Sequence, residues 1–151
     1  MGKSAFLIGH REASSEILPA LADAIETHIS EYGVTEFIVG SHGGFDRFAA
    51  RALTAAKERH PGITLLLLIA YHPGERAIEK PAGFDHTYYP PGMERVPRRY
   101  AIVRANQYVI DHVDYLIAYA WHPASNAKEM LEYARRREDR GLIKVTTLGR
   151  V

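Results

Sequence analysis

The segment G-S-H-G-G-F-D, Gly40 to Asp46, carries the sharpest chemical possibility in the chain. Paired glycines between an apolar run and a helical pattern let the backbone approach a phosphate, whose charge meets the free N–H groups at the helix N-terminus. Ser41, His42, Gly43 and Gly44 are therefore candidate ligand contacts. Asp46, in the first turn of the same helix, can either bond ligand hydroxyls or complement the helix dipole. The two glycines would serve a tight turn with positive φ equally well. The segment is neither a Walker A loop nor a dinucleotide G-x-G-x-x-G. It is also not a hydrolase elbow, because Val39 stands two residues before Ser41. None of these patterns calls for a cofactor.

Two further groups could join it. Gly9, His10 and Arg11 close the first apolar run, and Ser125 and Asn126 open a later helical stretch. His10, His42, His72 and His122, four of the eight histidines, fall at the ends of four strand-like runs, which invites a metal reading. That reading needs convergence, yet there is no H-x-x-x-H pair, no identifiable acidic ligand, and no expectation that the first and third runs are neighbours. No metal is expected, and His10 and His42 are read as phosphate or base contacts.

The elements that must position these residues follow from hydrophobic periodicity. Residues 4–9, 36–40, 63–71, 114–119 and 142–147 read as strands; 15–32, the stretch from Phe45 to His60, 100–112 and 126–138 read as helices. Pro19 is tolerable only near a helix start. Residues 72–99 hold five prolines and three glycines, and a structureless segment of that length is uncommon, so a short strand near 85–89 or a lid is expected there. Strands separated by helices imply βαβ units, hence an α/β, three-layer Rossmann-like fold with a mostly parallel sheet of about five strands. Crossovers in such sheets are right-handed, so strand C-termini and helix N-termini meet at one rim, where ligands bind. Asp111 and Arg135 to Arg137 lie at far helix ends and read as structural. Arg98, Arg99 and Arg104 lie near a rim-starting helix end, where one could neutralise a phosphate.

Composition bounds the rest. A chain of 151 residues suits one domain, and 46% hydrophobic with 25% charged residues is ordinary globular usage. A formal net charge of +1 gives no general attraction to nucleic acid or anionic membranes, so neither is expected as a partner. The absence of cysteine excludes disulfides, thiolate zinc sites and a cysteine nucleophile, and fits a cytoplasmic setting. The longest apolar run, residues 63–70, is too short to span a bilayer, and the start lacks a signal-peptide pattern. A homo-oligomer is expected, with Tyr88, Tyr89 and Trp121 suited either to an interface or to a base.

With these residues laid out, the chain resembles the SLOG superfamily, small Rossmann-like ligand-binding domains that include YpsA-type proteins, the DprA core and the LOG phosphoribohydrolases. The resemblance spans nearly the whole chain. It is carried by F-L-I-G-H-R at 6–11, G-G-F-D-R-F-A at 43–49, N-Q-Y-V-I-D-H-V-D-Y-L-I-A-Y at 106–119 and E-Y-A at 132–134. Such families usually place a phosphate-wrapping Gly-Gly-Thr where this chain has Ser125, Asn126 and Ala127. The glutamate of LOG enzymes three residues beyond that Thr corresponds to Met130, with Glu129 one step earlier. An Arg usual directly before Asn106 is replaced by Ala105, with Arg104 one place back. The resemblance implies a ligand-sensing domain for a nucleotide or another phosphorylated small molecule. The alternative is an N-glycosidic hydrolase or transferase acting through Glu129 or Asp46.

Overall fold

A computed structural model describes residues 2–74 and 79–151. Its frame is a six-stranded, wholly parallel sheet in the order β4-β3-β2-β1-β5-β6. The strands are β1 (Lys3–Gly9), β2 (Val34–Val39), β3 (Thr64–Leu68), β4 (His86–Tyr88), β5 (Tyr115–Tyr119) and β6 (Lys144–Thr147). The helices are α1 (Leu18–Ser30), α2 (Gly44–Arg59), α3 (Ala101–His112) and α4 (Asn126–Asp139). The expected α/β three-layer architecture is present, with one strand more than the five read from periodicity. That strand is β4, three residues long, inside the proline-rich stretch where a short strand was expected.

Strand β1 has side chains on two opposite faces, and each face seeds a core. Ala5 and Leu7 pack with Leu21, Ile25, Phe45 and Leu53 from α1 and α2. Phe6 and Ile8 pack with Ala105, Val109, Met130 and Leu131 from α3 and α4. Both faces of the sheet are covered, which is why the central strands are continuously apolar rather than alternating.

Local sequence explains the element ends. Ser14 caps a short 3₁₀ turn, Ser15–Ile17, by accepting from the Glu16 amide, and Pro19 then falls in the first turn of α1, where its missing N–H is harmless. Another 3₁₀ turn, Arg98–Tyr100, delays α3 until Ala101. Edge strand β4 is pinned through Asp85, whose carboxylate accepts from the Leu65 amide at 2.8 Å and pairs with Lys57. Both partners hold the Asp85 carboxyl below its ordinary pKa.

At the far edge, Asp111 is held by contacts from α4. Tyr133 donates to the Asp111 carboxylate at 2.7 Å, and the Arg137 guanidinium lies 3.3 Å from it. Among the described residues no helix is long and apolar enough to cross a membrane.

Candidate functional site

The strand order fixes where a ligand can enter. From β1 the chain works outward through β2, β3 and β4, then returns through α3 to β5 on the other side of β1. The loops after β1 and β5 therefore lead to opposite faces of the sheet, and the crevice between them is the topological switch point. A cavity of about 520 Å³ occupies this crevice. Among the expected residues, Gly9, His10, Arg11, His42, Asp46, Ser125 and Asn126 line it.

The loop after β1 is held tightly against the start of α2. The Gly44 amide donates to the Arg11 carbonyl at 2.7 Å, and the Phe45 amide to the His10 carbonyl at 3.2 Å. This packing is what the glycines serve. Gly43 has φ of 119°, and a Cβ there would lie 2.8 Å from the Arg11 Cα; one at Gly44 would lie 2.6 Å from the Arg11 carbonyl oxygen. Two first-turn amides of α2 are thus taken by backbone carbonyls, neither glycine lines the cavity, and the positive φ of Gly43 is the tight-turn use that the sequence equally allowed. Gly9 has a packing reason of its own, since a Cβ would sit 2.2 Å from the Phe45 ring.

Asp46 reaches back from α2 and accepts from the His42 amide at 2.8 Å, which shapes the turn between β2 and α2. Burial pushes its carboxyl up to about 6, opposed by that amide and by the nearby Arg11 charge. It also borders a neighbouring hollow lined by Ser41, Arg47 and Arg51, so Ser41 belongs to that hollow and not to the main cavity.

His10 is almost fully buried, with 8% of its surface exposed. Its Nε2 accepts from the His122 amide at 3.1 Å, so the neutral ring carries its proton on Nδ1. Burial, then the neighbouring His122, pulls its pKa below the ordinary histidine value, against a smaller opposite pull from Glu12. His10 is a neutral strut between the loops after β1 and β5, walled by Tyr119 and Trp121 at ring distances of 5.4 and 5.1 Å. A cationic phosphate contact does not fit this setting.

Ser125 is the N-cap of α4. Its hydroxyl accepts from the Lys128 amide at 3.1 Å and donates to the His122 carbonyl at 2.8 Å, so its polar capacity goes into the loop itself. Asn126 and Ala127, which line the cavity, belong to the first turn of α4, where a helix leaves N–H groups without intrahelical acceptors.

Two expected residues are placed elsewhere. Glu129 is exposed on α4 and does not line the cavity; its neighbour Met130 does, with 2% of its surface exposed. Arg104 is exposed on α3 and also stays outside, whereas Ala105 and Asn106 line the wall. One residue step turns a helical side chain by roughly 100°, enough to move it from wall to solvent. Arg98 and Arg99 stack instead over Tyr71 and Tyr100, at 4.5 and 4.8 Å.

Of the four strand-end histidines, His10, His42 and His122 line the cavity and His72 does not. His10 lies beside His122, with ring centres 6.1 Å apart, while His42 and His72 sit against Tyr71 and Tyr89. Among the described residues no group of three or more histidines and acids is placed to hold a metal ion.

Sequence reasoning placed Trp121 and His122 after the fourth strand, and both line the cavity; it did not single out Asn106 or the last segment as wall. Val151 lines the cavity and its amide donates to the Tyr119 hydroxyl at 3.4 Å, while Arg150 lies 4.0 Å over the Trp121 ring. Strand order, unknown before the fold, was the missing signal. Compared with protein-family models and with curated proteins, the chain matches none.

Proposed function

We propose that this chain is a ligand-binding domain for a nucleotide or another phosphorylated small molecule. The observation that carries the reading is the cavity at the switch point, bounded on one side by Arg11 and on another by the first turn of α4. A guanidinium and a helix N-terminus suit an anionic group, and a volume of this size suits a small molecule. The likeness to the SLOG superfamily, carried by the motifs at 6–11, 43–49 and 106–119, belongs to the same proposal.

A ligand that binds only the native state raises the melting temperature, by an amount that grows with the logarithm of its concentration relative to Kd. In a thermal-shift panel of nucleotides and sugar phosphates, at least one compound is expected to raise the Tm, and Arg11→Ala is expected to reduce that shift. A flat panel across all phosphorylated compounds overturns the reading.

A second reading, N-glycosidic hydrolysis or transfer, is favoured by one observation. Asp46 places in the cavity a carboxyl whose pKa is raised to about 6, within the range useful for general acid–base work at neutral pH. Glu129 drops out of this alternative because it lies outside the cavity. Release of free base from a nucleoside monophosphate, lost in Asp46→Asn, would support it.

A further inference from the structure

The cavity has two unlike halves, because it straddles the carboxyl end of β1. On the α1–α2 side its lining is polar, with Arg11, Glu12, His42 and Asp46. On the α3–α4 side it enters the second core, between Ile102 and Ala105 of α3, Met130 of α4, Leu68 at the end of β3 and Ala70 just beyond it. Ala105, Met130, Leu68 and Ala70 are each no more than 5% exposed, so this half is walled by core side chains rather than by a rim loop. None of these core side chains is ionisable; the exposed His122 lines the cavity on this side from the loop that leads into α4. Its polar group is the amide of Asn106, which makes no side-chain hydrogen bond among the described residues.

These walls specify a chemistry. A charged group entering between these core side chains would lose water with no counter-ion beside it, which is strongly unfavourable. An aliphatic group would satisfy the apolar walls but leave the Asn106 amide without a partner as it excluded water. An uncharged ring with donor and acceptor atoms along one edge satisfies both, burying its faces against Met130 and Ile102 and offering its edge to Asn106.

We propose that the α3–α4 half is a chamber for the uncharged heteroaromatic ring of the ligand, while its anionic end stays near Arg11 and the start of α4. This rests on the reading that the site binds a phosphorylated small molecule, and adds which part of that molecule goes inward. It also assigns Met130, Ala105 and Asn106 the role of selecting for the ring.

Titration calorimetry with ribose 5-phosphate and with the four nucleoside monophosphates tests it. At least one monophosphate is expected to bind tenfold or more tightly than ribose 5-phosphate. Ala105→Phe, which fills the chamber, is expected to erase that advantage and leave ribose 5-phosphate binding within about twofold. Ile102→Trp, at a half-buried wall position, gives the same readout should Ala105→Phe fail to fold. Asn106→Leu should lower monophosphate affinity without changing that of ribose 5-phosphate. If ribose 5-phosphate binds and no base adds affinity, or the advantage survives the filled chamber, the chamber proposal falls and the anion site stands. If no phosphorylated probe binds, both fall.

Discussion

Asp46 and His10 respond to pH in opposite directions, and that opposition follows from what each side chain touches. The raised carboxyl of Asp46 means the folded protein holds that proton more tightly than the unfolded chain does. Its contribution to stability is therefore complete at low pH and lost as pH rises from about 4 through about 6. His10 has a lowered pKa because its ring is buried and stands beside His122, so its contribution is present above the ordinary histidine value and lost on acidification. Asn at position 46 keeps an oxygen to accept the His42 amide and removes the charge. Asp46→Asn is expected to be more stable than the parent at pH 8, by up to about 3 kcal/mol for a shift of about two units. The difference should vanish towards pH 4, and urea unfolding at both values checks it. A variant that is less stable than the parent at pH 8 would contradict the burial argument. In the sequence Asp46 was legible as a residue on the binding rim, but not its raised pKa, which needs the surrounding loops. Glu129 and Arg104 show the opposite limit: each is one residue from a position that lines the cavity, and periodicity does not fix helix rotation that finely.

At the scale of elements, the contact between the loop after β1 and the N-terminus of α2 does the most to shape the site. Gly44→Ala would press a methyl group against the Arg11 carbonyl at 2.6 Å and disrupt the hydrogen bond made there. A loss of more than about 2 kcal/mol is expected from such a clash with backbone. Gly62→Ala is the control, because nothing lies within 4 Å of a Cβ at that position. Chemical denaturation of the two variants should separate them clearly, and equal stabilities would show that the loops are free to part. The helices and central strands were readable because burial imposes period, and α4 was placed at residues 126–138 against the observed Asn126–Asp139. The glycine pair was read as a ligand feature because a glycine needed by a neighbouring loop and one needed by a phosphate look the same in sequence. Strand β4, only three residues long, was foreseeable from the improbability of a bare loop more than from its own pattern.

For the molecule as a whole, β1 is the strand that both helical layers share. Its alternate residues feed the α1–α2 core and the α3–α4 core, and the cavity opens at its end. A ligand seated there touches both layers at once. Binding is therefore expected to slow amide hydrogen exchange in β1, β2 and β5 and in the first turns of both α2 and α4. Protection confined to one layer would show that the ligand uses only half of the crevice. Strands β4 and β6, at the two edges of the sheet, should exchange faster with or without ligand.

The division of the cavity between layers has a consequence for how such a protein diversifies. The polar half is built from loops whose backbones brace one another, where glycines at 43 and 44 leave little freedom to vary. The inner half is walled by single side chains on two helices, and replacing Ala105, Asn106 or Met130 alters that wall without touching the bracing. On the proposed reading, a lineage can retain its anchor for the common part of a family of compounds while exchanging the part that tells them apart, one helix position at a time.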